Sequence, residues 1–167
     1  MKITTTRFGD IDVKESEFIT LHGSILGFEH LREFVLLSGE QNTPFWWLQS
    51  VQEPAVAFVV INPQIVKPDY APAISEDDFE FLDIKKKKDI ALLAIMTIRS
   101  NPLRITVNLR APILINARTR KANQIILADS EIPIQYDVLD NKEHLNKDLL
   151  EEGTHHANGL AMISPSV

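Results

Sequence analysis

Short apolar segments broken by turn residues run along most of this chain. Residues 10–14, Asp-Ile-Asp-Val-Lys, alternate polar and apolar with the period of a half-buried strand. Arg7, Phe8, Gly9 and Asp10 supply a turn before them, so residues 2–14 predict a hairpin. Strands are also predicted over 17–21 and 33–37, separated by Gly23, Gly27 and a helical turn over 29–32. Two more, over 45–50 and 56–61, are split by Gln52, Glu53 and Pro54. Pro63, Pro68 and Pro72 forbid a regular central strand and predict an extended loop.

Ser75 then opens a predicted helix, because its hydroxyl caps free amides and Glu76, Asp77 and Asp78 fill the favourable first turn. Lys85, Lys86, Lys87 and Lys88 are assigned to the far end of that helix, where cations complement free carbonyls, and to protecting the edge of the next strand. Strand signals resume over 90–98, 105–109, 113–115 and 124–127, with breaks at Asn101-Pro102 and Ala111-Pro112. About nine or ten short strands with one or two short helices predict a mainly β fold, a small antiparallel β-barrel or pseudo-barrel. That domain spans 1–140; a charged helix over 141–152 and a mobile tail over 153–167 are expected beyond it.

Composition narrows the class. At 167 residues and 44% hydrophobic content the chain fits one folded domain with a single core. The longest nearly apolar run, 90–98, is about half of what a membrane-spanning helix needs, so no membrane partner is expected. The polar N-terminal stretch lacks a secretory pattern, and the absence of cysteine removes disulfides and thiolate chemistry. A cytoplasmic location is the expectation. The net charge of −6 repels phosphate backbones, so direct nucleic-acid binding is not expected and basic protein partners suit the surface better.

The residues offer little catalytic chemistry. Gly23-Ser24-Ile25-Leu26-Gly27 has the wrong spacing for a nucleophile elbow, and no phosphate-cradling loop is present. His22 has no orienting partner in its vicinity, and adjacent His155 and His156 do not readily face one metal. No cofactor, metal or catalytic residue is assigned. The four-lysine run offers charge to RNA without a nearby aromatic on which a base could stack. Two features point to protein binding instead. Asp69, Glu76, Asp77, Asp78 and Glu80 concentrate acidity around the proline-rich loop and the helix start, suited to a partner's arginines. Phe45, Trp46 and Trp47 are consecutive, so strand alternation sends Trp46 and Trp47 to opposite faces and turns one away from the core.

Three stretches resemble the flagellar assembly factor FliW family. The first is Phe18-Ile19-Thr20-Leu21-His22-Gly23-Ser24-Ile25-Leu26-Gly27-Phe28-Glu29, with Phe34 after it, an apolar strand entering a Gly-x-x-x-Gly-Phe turn. The second is Pro44-Phe45-Trp46-Trp47-Leu48-Gln49-Ser50 leading into Ala57-Phe58-Val59-Val60. The third is Asn108-Leu109-Arg110-Ala111-Pro112-Ile113-Leu114-Ile115-Asn116, followed by Gln124-Ile125-Ile126-Leu127. His22 stands where a proline is expected and Leu26 is a milder departure; both concern the local turn. The resemblance covers roughly 1–138 and implies a small cytosolic β-barrel that is not an enzyme. It also implies two partners: flagellin, and the translational repressor carbon storage regulator A, which the factor inhibits when free of flagellin. Flagellin either adds a strand to an edge or lays an amphipathic helix in a groove; the helical mode is preferred because its termini are helical in the filament. The competing expectation is a small β-barrel enzyme or ligand-binding protein with a pocket lined by Trp46 or Trp47.

Overall fold

The computed structural model describes residues 1–39 and 41–141. The expected helix over 141–152 and tail over 153–167, with His155 and His156, lie essentially outside the described residues.

The N-terminal alternation folds as predicted. Strands β1 (Lys2–Thr5) and β2 (Gly9–Asp12) form an antiparallel hairpin, and Gly9 takes a positive φ of 67° where it enters β2. A single 3-10 turn at Glu15–Glu17 replaces the start of the strand expected over 17–21, leaving β3 at Ile19–Leu21. Residues 29 and 30 form a turn and 31 and 32 are irregular, without a helix. Strands β4 (Glu33–Ser38), β5 (Phe45–Ser50) and β6 (Ala57–Ile61) then build an antiparallel meander.

Pro63 does not start an extended loop. It sits at the first position of a one-turn helix, α1 (Pro63–Val66), where its missing N–H costs nothing and Asn62 Oδ1 accepts the Gln64 N–H at 3.0 Å. The helix expected after Ser75 is present as α2 (Glu76–Phe81), with the Ser75 hydroxyl accepting the Asp78 N–H at 3.1 Å. It ends at Phe81, so the lysines lie outside its last turn; Lys87–Asp89 form a separate 3-10 turn. The remaining strands are β7 (Ile90–Arg99), β8 (Arg104–Val107), β9 (Ile113–Asn116), β10 (Lys121–Gln124) and β11 (Tyr136–Asp137). Hence the strand expected over 124–127 begins three residues earlier and ends at Gln124. Ile125 and Leu127 still donate to the carbonyls of Pro112 and Arg110, but as an irregular continuation that lies over β9.

Strands β3, β4, β5, β6, β7, β9 and β10 close a seven-stranded barrel. Closure depends on β7, which pairs with β9 over Ile90–Leu93, with β6 at Ala94 and Ile95, and with β8 over Met96–Arg99. The fold is mainly antiparallel, with β10 against β3 as a parallel pair. Alternating residues of every barrel strand fill the interior: Ile19 and Leu21, Phe34 and Leu36, Trp46 and Leu48, Val60, Ala91 and Leu93, Ile113 and Ile115, and Ala122. The outward residues Val35, Leu37 and Trp47 are covered by the hairpin through Ile3, Ile11 and Val13. That second layer explains why β4 is buried on both faces.

Two polar anchors hold the connections. Asn116 is fully buried; its Nδ2 donates to the carbonyls of Leu82 and Asp83, both at 3.0 Å, and its Oδ1 accepts the N–H groups of Arg118 and Thr119. It ties the end of α2 to the end of β9. Tyr70 donates its hydroxyl to the Leu109 carbonyl at 2.7 Å, and burial pushes its pKa up to about 12.

Replacing Asn116 by Ala orphans buried backbone groups at both ends of this link, and urea unfolding is expected to show a loss of about 2–4 kcal/mol. Tyr70 ionises more readily in the unfolded chain than in the folded one, so its contribution is complete below the ordinary tyrosine pKa. Stability should therefore fall as pH rises from about 10 toward about 12, and Tyr70→Phe should flatten that alkaline slope.

Candidate functional site

The barrel interior is packed with side chains, so the functional surface must be sought on its exterior. Trp46 is sealed in the core at 1% exposure, which removes it from the candidate contact residues. Trp47 points the other way and is half-buried. The Arg7 guanidinium lies 4.0 Å above its ring and Phe8 meets it edge-on at 6.1 Å. A cavity of about 380 Å³ opens beside it, lined also by Thr6, Gln49 and Pro54. Gln49 is buried there and donates its Nε2 to backbone carbonyls of Ser50 and Val56. Arg7 is the titratable side chain lining this cavity, which therefore brings no acid and base together.

The acidic candidates occupy a different part of the molecule. Glu76, Asp77, Asp78 and Glu80 are carried by α2, with Glu76, Asp77 and Glu80 exposed. Asp78 is half-buried and accepts the Ser75 hydroxyl at 2.7 Å. Asp69 stands apart on the loop after α1, paired with Lys67 at 2.7 Å. Trp47 packs with the hairpin cluster, whereas α2 packs through Phe79 and Leu82 on Leu114, Ile125 and Leu127. The predicted residues are thus dispersed: Trp46 in the core, Trp47 against the hairpin, four acids on α2 and Asp69 on the loop after α1.

Beside the acids lie apolar residues that periodicity assigns to no surface. Phe81, the last residue of α2, is 51% exposed and meets His22 edge-on at 6.3 Å. His22 leads into the Gly23–Gly27 turn, which carries Leu26 at 63% exposure. The Leu26 N–H donates to Gln124 Oε1 at 3.0 Å, two residues before exposed Ile126. Gly27 takes a φ of 85°, a left-handed turn position that disfavours a side chain. Its N–H donates to Glu29 at 2.9 Å and holds that carboxyl below the usual carboxylate range. Phe81 of the acidic helix thus meets His22, the residue that leads into this turn.

The family model of the FliW protein matches residues 2–138. The chain belongs to the FliW family of flagellar assembly factors. It is 49% identical to the flagellar assembly factor FliW of Syntrophus aciditrophicus (strain SB) over 145 residues, covering 87% of this chain and 92% of the relative. The corresponding protein of Geobacter sulfurreducens (strain ATCC 51573 / DSM 12127 / PCA) is 42% identical over 140 residues, covering 84% and 87% of the two chains. A crystal structure of the flagellar assembly factor FliW superposes with a TM-score of 0.75 at 36% identity, covering 83% of this chain and 96% of that one. A flagellar assembly factor has a non-enzymatic role. Among the described residues there is no helix long and apolar enough to cross a membrane, and no group of three or more His, Cys, Asp or Glu placed to hold a metal.

The two tryptophans should separate spectroscopically. Trp47→Phe is expected to leave blue-shifted emission that resists acrylamide, and Trp46→Phe emission that acrylamide quenches readily; Stern–Volmer plots make the comparison.

Proposed function

We propose that this protein acts in the cytosol by capturing other polypeptides: it binds flagellin before export and, when free, binds and inhibits the translational repressor carbon storage regulator A. The family match over residues 2–138 carries this reading. The exterior supports it physically. A filled barrel leaves no interior room for a ligand, so binding falls to surfaces such as the acidic, apolar face of α2 and the Gly23–Gly27 turn.

An RNA-binding repressor presents cations to its nucleic acid. Glu76, Asp77 and Glu80 complement such a surface and raise the encounter rate, while also repelling RNA phosphates from the complex. Phe81 supplies the apolar contact that distinguishes a docked partner from a diffuse ionic one. Trp47, held between Arg7 and Phe8, is the second contact candidate, and its separation from α2 offers flagellin a face of its own. Release of flagellin then frees the factor, so secretion governs translation by mass action. If binding of one partner weakens the other, the weakening is reciprocal whether the faces overlap or not.

Calorimetric titration of the full chain against each partner, alone and together, tests this. The triple variant E76K/D77K/E80K should keep its far-ultraviolet dichroism and lose about tenfold or more in repressor affinity, with a steeper loss at low salt. Folded protein that binds neither flagellin nor the repressor sinks the proposal.

A further inference from the structure

The barrel has one interrupted edge. Strand β6 pairs with β7 only at Val60↔Ile95 and Ile61↔Ala94, after which Asn62 and Pro63 turn the chain into α1. Strand β7 runs on in the opposite direction to Ile90, paired there with β9 alone. The parity of its backbone is fixed by two bonds. The Asp89 carbonyl accepts the Ala117 N–H at 2.7 Å and the Ile95 carbonyl accepts the Asn108 N–H at 2.9 Å, so odd-numbered residues direct their polar groups toward β9 and β8. Even-numbered residues face the β6 side. Ala94 finds Ile61 there, but Leu92 and Ile90 lie beyond the end of β6. The Ile90 N–H donates to the Lys87 carbonyl. The N–H and carbonyl of Leu92 and the carbonyl of Ile90 meet no strand on this side among the described residues.

This length of edge opens into a cleft of about 430 Å³ whose apolar wall includes Phe79, Ile84, Ile90 and Leu92. Its rim carries Lys85, Lys86 and Lys87, and no carboxylate is among the lining residues. Lys85 reaches Asp83 at 3.4 Å, an acid also approached by Arg118 at 3.7 Å; Lys86 and Lys87 form no ion pair among the described residues. Concentrated cations are unusual on a chain of net charge −6. The lysines guard the edge against a basic or neutral strand, and the same charges select an acidic one. Phe79 is the one aromatic among the lining residues and the rest of the apolar wall is aliphatic, so the row of aromatic platforms on which successive bases stack is missing, which favours a peptide over RNA.

We infer that the cleft beside β7 is a strand-addition site for an extended partner segment alternating carboxylate and aliphatic side chains. The segment's backbone pairs with Leu92 where β6 has left the sheet. Its aliphatic side chains enter the floor formed by Phe79, Ile84 and Leu92, while its carboxylates, on the opposite face of the strand, meet the lysine rim. This surface is distinct from the acidic face of α2 and takes a partner of opposite charge.

The probe is a fluorescein-labelled peptide of about eight alternating valine and glutamate residues, titrated into the full chain by anisotropy and followed in 15N–1H spectra. Saturable binding that moves the Leu92 amide resonance is expected. The exposed-site variant K85Q/K86Q/K87Q, with folding checked by dichroism, should bind about tenfold more weakly. Methylating alternate peptide nitrogens in the two possible registers should abolish binding in one of them, a readout that requires no protein variant. Absence of binding overturns the inference, as does equal binding of both methylated peptides or indifference to the lysine substitutions. Displacement of the peptide by a single-stranded uridine oligomer that shifts the same Leu92 and lysine signals would assign the cleft to RNA and also overturn it.

Discussion

Closing a sheet of seven strands requires its two end strands to pair with each other, and β7 meets β9 for this while dividing its length among three neighbours. Its ladder with β9 joins the two ends of the sheet, and its lower residues Ala91 and Leu93 help fill the interior. Apolar side chains from all seven strands fill the interior, so closure also removes the volume in which a small ligand would sit. An aqueous cavity would require polar groups on that inner face. The packed interior leaves the outer surface as the accessible one, and there a second layer of elements differs from one side to the next.

That outer layer sets the character of each face. The β1–β2 hairpin covers β4 and β5 and leaves Trp47 half-buried between Arg7 and Phe8. On another side α2 packs through Phe79 and Leu82, which turns Glu76, Asp77 and Glu80 toward solvent and leaves Phe81 uncovered beside His22. Asn116 fixes the exit of α2 by bonding the Leu82 and Asp83 carbonyls, so the lysine run that follows begins from a defined position. Tyr70 does the same for the segment after α1 by bonding the Leu109 carbonyl. One face is therefore acidic and apolar and another basic and apolar.

Much of this was legible from local pattern because local forces produce it. The alternation around Trp46 and Trp47 separates them between faces, and Ser75 followed by three acids starts α2 where capping and helix polarity favour it. Local reading failed where a residue type permits two outcomes. Pro63 suits an extended loop, yet it also fits the first turn of a helix, and the Asn62 cap makes that choice. The lysines fit a helix C-terminus by charge, but α2 is too short to reach them. The apolar run 124–127 suggests a strand, while the regular pairing ends at Gln124 and the following residues cover β9 irregularly. Exposure of Leu26, Phe81 and Ile126 had no signature at all, since an apolar residue in an apolar pattern reads as core.

By itself, then, the sequence determined the strand-rich class, the order of the elements, the opposite facing of Trp46 and Trp47 and the whole-chain family pattern. Those follow from side-chain period, turn residues and caps, which act over a few positions. The tertiary structure alone decided that β10 runs parallel to β3, that β7 seals the barrel, and that Ile90 and Leu92 keep an open side. Strand edges carry the same N–H and carbonyl groups whatever the side chains, so the choice of neighbour is made by packing between segments distant in the chain.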